Sequence, residues 1–92
     1  MLPVPPVADP EHLTARLRTA IRGHDILRVK GFLVVDGKPM RHVVQAVGER
    51  VDHYYDRPWR TGEMRLGELV VIGLRGLDRA AIADAILERP AT

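Results

Sequence analysis

Two runs rich in β-branched and apolar residues, Ile26–Val35 and Met40–Val47, are separated by Asp36-Gly37 and a proline. Asp-Gly between such runs is a strong hairpin signal, because a type I′ turn needs positive φ at both central residues. A hairpin from Ile26 to Val47 is expected, with Pro39 at the start of the returning strand, where a missing N–H does least harm. Alternation along the first strand sets Leu27, Val29, Gly31, Leu33 and Val35 on one face and Arg28, Lys30 and Phe32 on the other.

The flanking segments supply what covers that hairpin. Met1 to Ala8 holds three prolines and reads as an extended linker or the remnant of an edge strand. Asp9-Pro10-Glu11 is a helix start: an N-cap, a proline at the first helical position and an acid in the first turn. Leu13, Leu17 and Ile21 then form one apolar stripe, with Arg16, Arg18 and Arg22 facing away and Gly23 suited to C′, so a helix is expected over residues 10–22. Gly48-Glu49 makes a second turn, Val51–Tyr55 a third strand, Asp56-Arg57-Pro58-Trp59 its end, and Arg60–Gly67 a polar connection. The apolar run Leu69–Gly73 reads as a strand buried on both faces or placed centrally. Asp78 caps a second helix with Ile82, Ala85, Ile86 and Leu87 on its apolar side, stopping before Pro90.

Consecutive hairpins give an antiparallel sheet, and two amphipathic helices suffice for one of its faces. The expected fold class is α+β: a two-layer sandwich of a mainly antiparallel sheet of about four strands with two helices on one face. Residues 1–8 stand apart from a domain over 9–92. The other sheet face carries Arg28, Lys30 and Phe32 and is either solvated or docked on something.

The residue inventory removes whole classes of chemistry. Cysteine is absent, which excludes disulfides, thiolate metal sites and cysteine nucleophiles. Serine is absent as well, so a serine hydrolase mechanism is impossible. No apolar run approaches the roughly 18 residues of a membrane-spanning helix, so a cytoplasmic setting without a membrane partner is expected. Gly31 through Gly37-Lys38 approaches a phosphate-binding loop but misplaces the glycines, has Pro39 where Ser or Thr should bind magnesium, and lies in a hairpin. No catalytic residues and no enzyme activity are therefore assigned to this chain.

Binding candidates remain. His42 and His53 lie on neighbouring strands and are weak candidates for metal ligands, since a closed site almost always needs four. His12 and His24 sit near opposite ends of the first helix and do not join them. The segment from Asp52 to Arg60 concentrates aromatic residues: it is either a stacking platform for bases or a strand end whose rings cover the core edge. Within it Arg57 and Trp59 are candidates for a protein contact, where Trp and Arg are enriched. Arg28 and Lys30 project from one face, with Gln45 or its adjacent positions across from them, a charged solvent face or a docking face. The formal charge of +2, with acids spread among the bases, argues against a nucleic-acid partner.

Taken together, Arg28-x-Lys30-Gly31-Phe32, Gln45-x-Val47-Gly48, Arg57-Pro58-Trp59 and Leu69-Val70-Val71-Ile72-Gly73 followed by Leu77-Asp78 resemble the C-terminal domain of CobW-type proteins. Asp25 to Phe32 and Val51 to Trp59 resemble the cobalamin-biosynthesis branch in particular, and the resemblance runs from Ala8 to Leu87. It implies a parent with a P-loop GTPase domain, a cysteine-containing metal motif and often a His-rich linker, none of which lies in this sequence. It further implies a metallochaperone, linked in that branch to cobalt supply for corrin insertion. GTP with magnesium, and cobalt or zinc, are implied for the full-length family member, with no cofactor in this domain. The partners it implies are the parent's own GTPase domain and a metal-insertion client such as a cobaltochelatase. Met1 then reads as the start of an excised or separately expressed domain. A basic nucleic-acid-binding module and a small His-based metal carrier are the rival readings.

Overall fold

In the computed structural model the described residues are 2–73 and 76–87. They form β1 (Leu2–Val4), α1 (Pro10–Gly23), β2 (Ile26–Leu33), β3 (Met40–Val47), β4 (Arg50–Pro58), β5 (Gly67–Gly73) and α2 (Arg79–Leu87). One five-stranded sheet runs β1-β5-β2-β3-β4 with every neighbouring pair antiparallel. The two-layer α+β fold expected from the sequence is the one observed, with one strand more: Leu2–Val4 pairs with β5 at one edge.

Helix α1 begins as its sequence dictates. The Asp9 carboxylate accepts from the Glu11 N–H at 3.0 Å, and Pro10 occupies the first turn, where no donor is missed. The helix buries Leu13, Thr14, Leu17, Ala20 and Ile21 on the sheet, and the Thr14 hydroxyl is satisfied by donating to the Glu11 carbonyl. It runs through Gly23, and the left-handed residue beyond it is Asp25, φ 52°, so Gly23 is not the turning point. Asp78 caps α2: its carboxylate accepts from the Ala81 N–H at 3.1 Å. Ile82, Ala83 and Ile86 are buried, with Ala85 only partly so, and the Arg16 Nε–H donates to the Ile86 carbonyl at 2.6 Å, tying the two helices. The expected stop at Pro90 lies outside the described residues.

Three local expectations are corrected. At the hairpin, Lys38 N–H donates to the Val35 carbonyl and only Gly37, φ 73°, takes a positive φ, which is the type II pattern. The strands separate early because Val7 occupies the backbone there: its N–H donates to Val34 and its carbonyl accepts from Asp36. A register shift between Ile26 and Arg28 turns Ile26 inward and leaves Leu27, placed on the core face by simple alternation, 42% exposed. Strand β5 is interior to the sheet but buried on one face only, with Leu69 in the core and Val70 and Ile72 exposed.

The core lies between sheet and helices and joins Leu13, Leu17 and Ile21 of α1, Val29, Leu33, Val44, Ala46 and Leu69 of the sheet, and Ile82 and Ile86 of α2. Gly31 sits where β2 and β5 close up. A Cβ there would overlap the Glu68 carbonyl oxygen and come within 2.8 Å of the Leu69 Cα, so no other residue fits without moving backbone.

Candidate functional site

Residues directly opposite in an antiparallel pair share a face, so the register maps the uncovered side of the sheet. One row reads Ile72–Arg28–Val47, the next Val70–Lys30–Gln45, the third Glu68–Phe32–Val43. Strand β4 extends the rows with Arg50, Asp52 and Tyr54. Among the described residues no helix packs on this face. Val47 is 63% exposed, Ile72 52% and Val70 43%. The sequence-predicted trio Arg28, Lys30 and Gln45 is thus brought together, in a column flanked by aliphatic side chains. Those flanks were missed in the sequence, where β5 reads as a uniform apolar run with no polar alternation to tell its two faces apart.

The far end of the face covers itself. The Arg41 guanidinium stacks on the Phe32 ring, 3.9 Å from its centroid, and is held by an ion pair with Asp56. That pair holds the Asp56 carboxyl below its ordinary range. Gln45 Nε2 donates to the Tyr54 hydroxyl at 3.1 Å, and Val43 is buried beneath these groups. By contrast Arg28 and Lys30 have no ion-pair partner among the described residues.

His42 and His53 do meet, on the helix side of the sheet. His42 Nε2 lies 2.9 Å from His53 Nδ1, and the Tyr55 ring meets the His42 ring edge-on with centroids 4.5 Å apart. His42 is 3% exposed and its Nδ1 has no partner. A His42 Nε2–H donating to His53 leaves a bare lone pair at that Nδ1, whereas the other tautomer would bury an unpaired N–H, the costlier choice. Burial, and then the His53 charge, hold the His42 imidazole below its ordinary pKa. Among the described residues no group of three or more His, Asp or Glu side chains is placed to hold a metal ion.

The Asp52–Arg60 segment is a structural corner. Trp59 is only 9% exposed and offers a partner little surface. Arg57 is engaged in a bidentate pair with Glu63 at 2.8 Å on both arms, and the Arg60 N–H donates to the same carboxylate. Those bonds pull the Glu63 pKa down to about 2. Pairing of Arg57 and Arg60 with nearby acids is what a strand end covering the core edge implies; which acid was not legible, because Glu63 sits in a polar loop without periodicity.

The profile of the family described as "Cobalamin synthesis protein cobW C-terminal domain" matches residues 3–88. The chain belongs to that family. It is 55% identical over 80 residues to a "Zinc chaperone CobW" of Sinorhizobium sp, covering 87% of this chain and 23% of that protein. A second "Zinc chaperone CobW", from Pseudomonas aeruginosa, is 47% identical over 81 residues, covering 88% and 21%. Among solved structures, a zinc(II)-bound triple mutant of the YjiA GTPase superposes with a TM-score of 0.71 at 28% identity, and the zinc(II)-bound YjiA GTPase from E. coli with 0.66 at 25%. Each superposition covers 88% of this chain and 25% of the other. This cobW C-terminal domain therefore spans about a quarter or less of its relatives' length. The expected family is confirmed, and both of these relatives are named for zinc.

Proposed function

We propose that this chain is the non-catalytic accessory domain of a CobW-type GTPase that delivers zinc, and that its open sheet face docks on the parent's GTPase domain. The observation that carries the reading is a folded, one-sided sheet whose free face bears Arg28 and Lys30 unpaired between exposed Val47, Val70 and Ile72. The chain holds neither the cysteine nor the phosphate loop needed for thiolate metal capture or nucleotide binding. Its relatives' names favour zinc as the cargo; the family description, naming cobalamin synthesis, favours cobalt as the second reading. No helix among the described residues is long and apolar enough to cross a membrane, which accords with a cytoplasmic setting.

The test is calorimetric titration of the chain with the matching GTPase domain, alongside GTP turnover with and without it. Saturable heat and altered turnover support the reading; no heat at high micromolar concentration of both overturns it. Metal competition on the intact protein separates the cargo readings: zinc retained against equimolar cobalt supports zinc, and the reverse supports cobalt.

A further inference from the structure

The open face has a shape and a charge pattern that specify its occupant. We infer that it receives an amphipathic α-helix, laid along β2, whose carboxylates at positions i and i+4 meet Arg28 and Lys30. This rests on the docking role proposed above and names the chemistry of the element that docks.

Three observations converge. Arg28 and Lys30 lie two residues apart on one strand, about 7 Å along it, and i to i+4 on a helix advances about 6 Å. The flanks Ile72 and Val70 on β5, and Val47 on β3, lie one strand to either side, a width of about 10 Å that matches a helix with its side chains. Arg28 and Lys30 are exposed and unpaired among the described residues, while the other cations of this face, Arg41 and Arg50, already face Asp56 and Asp52. The unmet charge is therefore positive, central and framed by aliphatic surface.

The same pattern disfavours a nucleic-acid strand. Stacking needs free rings, yet Phe32 is covered by Arg41 and the Tyr54 hydroxyl is engaged by Gln45. With Arg41 and Arg50 already paired to Asp56 and Asp52, Arg28 and Lys30 are too few free cations for the basic track that a phosphate backbone needs.

The probe is a synthetic helical peptide of about 18 residues with glutamates at i and i+4 between leucines, titrated into isotopically labelled chain and followed by amide shifts. Shifts centred on Arg28, Lys30, Val47, Val70 and Ile72 are expected. The doubly reversed variant Arg28→Glu/Lys30→Glu should lose at least tenfold in affinity and bind the lysine version of the peptide instead; both sites are exposed, and an unchanged melting temperature verifies its fold. Shifts confined to the helix side, indifference to the charge reversal, or no shift at millimolar peptide would each overturn the inference. So would tighter binding of oligothymidylate with a steep salt dependence, or self-association covering the same residues without peptide. Adding the GTPase domain separates this inference from the docking role. If it leaves the peptide bound, the docking role falls and the helix site stands. If it binds the chain but ignores the charge reversal, the helix site falls and the docking role stands.

Discussion

Acidifying the solution from pH 7.5 to 5.5 should weaken the fold through His42, and the structure sets the direction of the effect. His42 is buried against His53 and Tyr55, with its free nitrogen unpartnered. Its folded pKa lies below the ordinary 6.5, burial being the larger cause and the His53 charge the second. Between the folded pKa and 6.5 the unfolded chain holds a proton that the folded chain refuses, so stability falls as pH falls. It is fully present above pH 6.5 and drains below it, at up to about 1.4 kcal/mol per pH unit for one proton. A domain of this length has a total stability of roughly 5–14 kcal/mol, so the loss is drawn from a small total. The acids do not confuse the window. Glu63, held at about 2 by Arg57, contributes stability that is lost only as pH falls from about 4.5 toward 2. Urea unfolding followed by the fluorescence of buried Trp59, at half-unit pH steps, measures the slope. His42→Leu should flatten it between pH 7.5 and 5.5, since the half-exposed His53 can then hydrate. A flat wild-type profile, or a variant that keeps the slope, would refute this reasoning.

Gly31→Ala should lower the melting temperature by more than about 10 °C, since relieving the overlap with the Glu68 carbonyl must part β2 from β5 at a cost of about 2–3 kcal/mol; a near-native melting curve contradicts that packing. Leu69→Ala, in the core face of β5, should cost about 2–5 kcal/mol in urea unfolding, whereas Ile72→Ala on the open face of the same strand should cost well under half as much; equal losses would show that both faces are covered. Glu63→Gln should free Arg57 and the Arg60 N–H from their shared carboxylate and raise protease cleavage in the loop after β4, measured by limited digestion, with no change in cleavage counting against the clamp.

Much of the fold was legible because the local signals agree with the global one. Asp9-Pro10-Glu11 starts α1 as written, and the polar/apolar alternation of β2 placed Arg28 and Lys30 on the uncovered face, with Lys30 opposite Gln45. Adjacency of β3 and β4 was enough to anticipate the meeting of His42 and His53. What escaped depends on contacts distant in sequence. The Val7 backbone, not the Asp-Gly pair, decides where the hairpin strands part and leaves a type II turn. The register shift that exposes Leu27 has no sequence mark, because a bulge only moves one residue to the other face. For Trp59 the sequence leaves a cover for the core edge and a partner anchor both open, and burial, with its backbone N–H donating to the Pro39 carbonyl, favours the cover. For β5, the apolar run reads as two-sided burial or a central place; the central place holds, while Val70 and Ile72 on its second face are exposed.

The central claim is that the GTPase domain covers this face, and amide-shift mapping of the labelled chain against the matching unlabelled GTPase domain tests it most directly. Perturbation centred on Arg28, Lys30, Val47, Val70 and Ile72, and lost on Arg28→Glu/Lys30→Glu, is the predicted result. Perturbation confined to α1 and α2, or none at all, would contradict it.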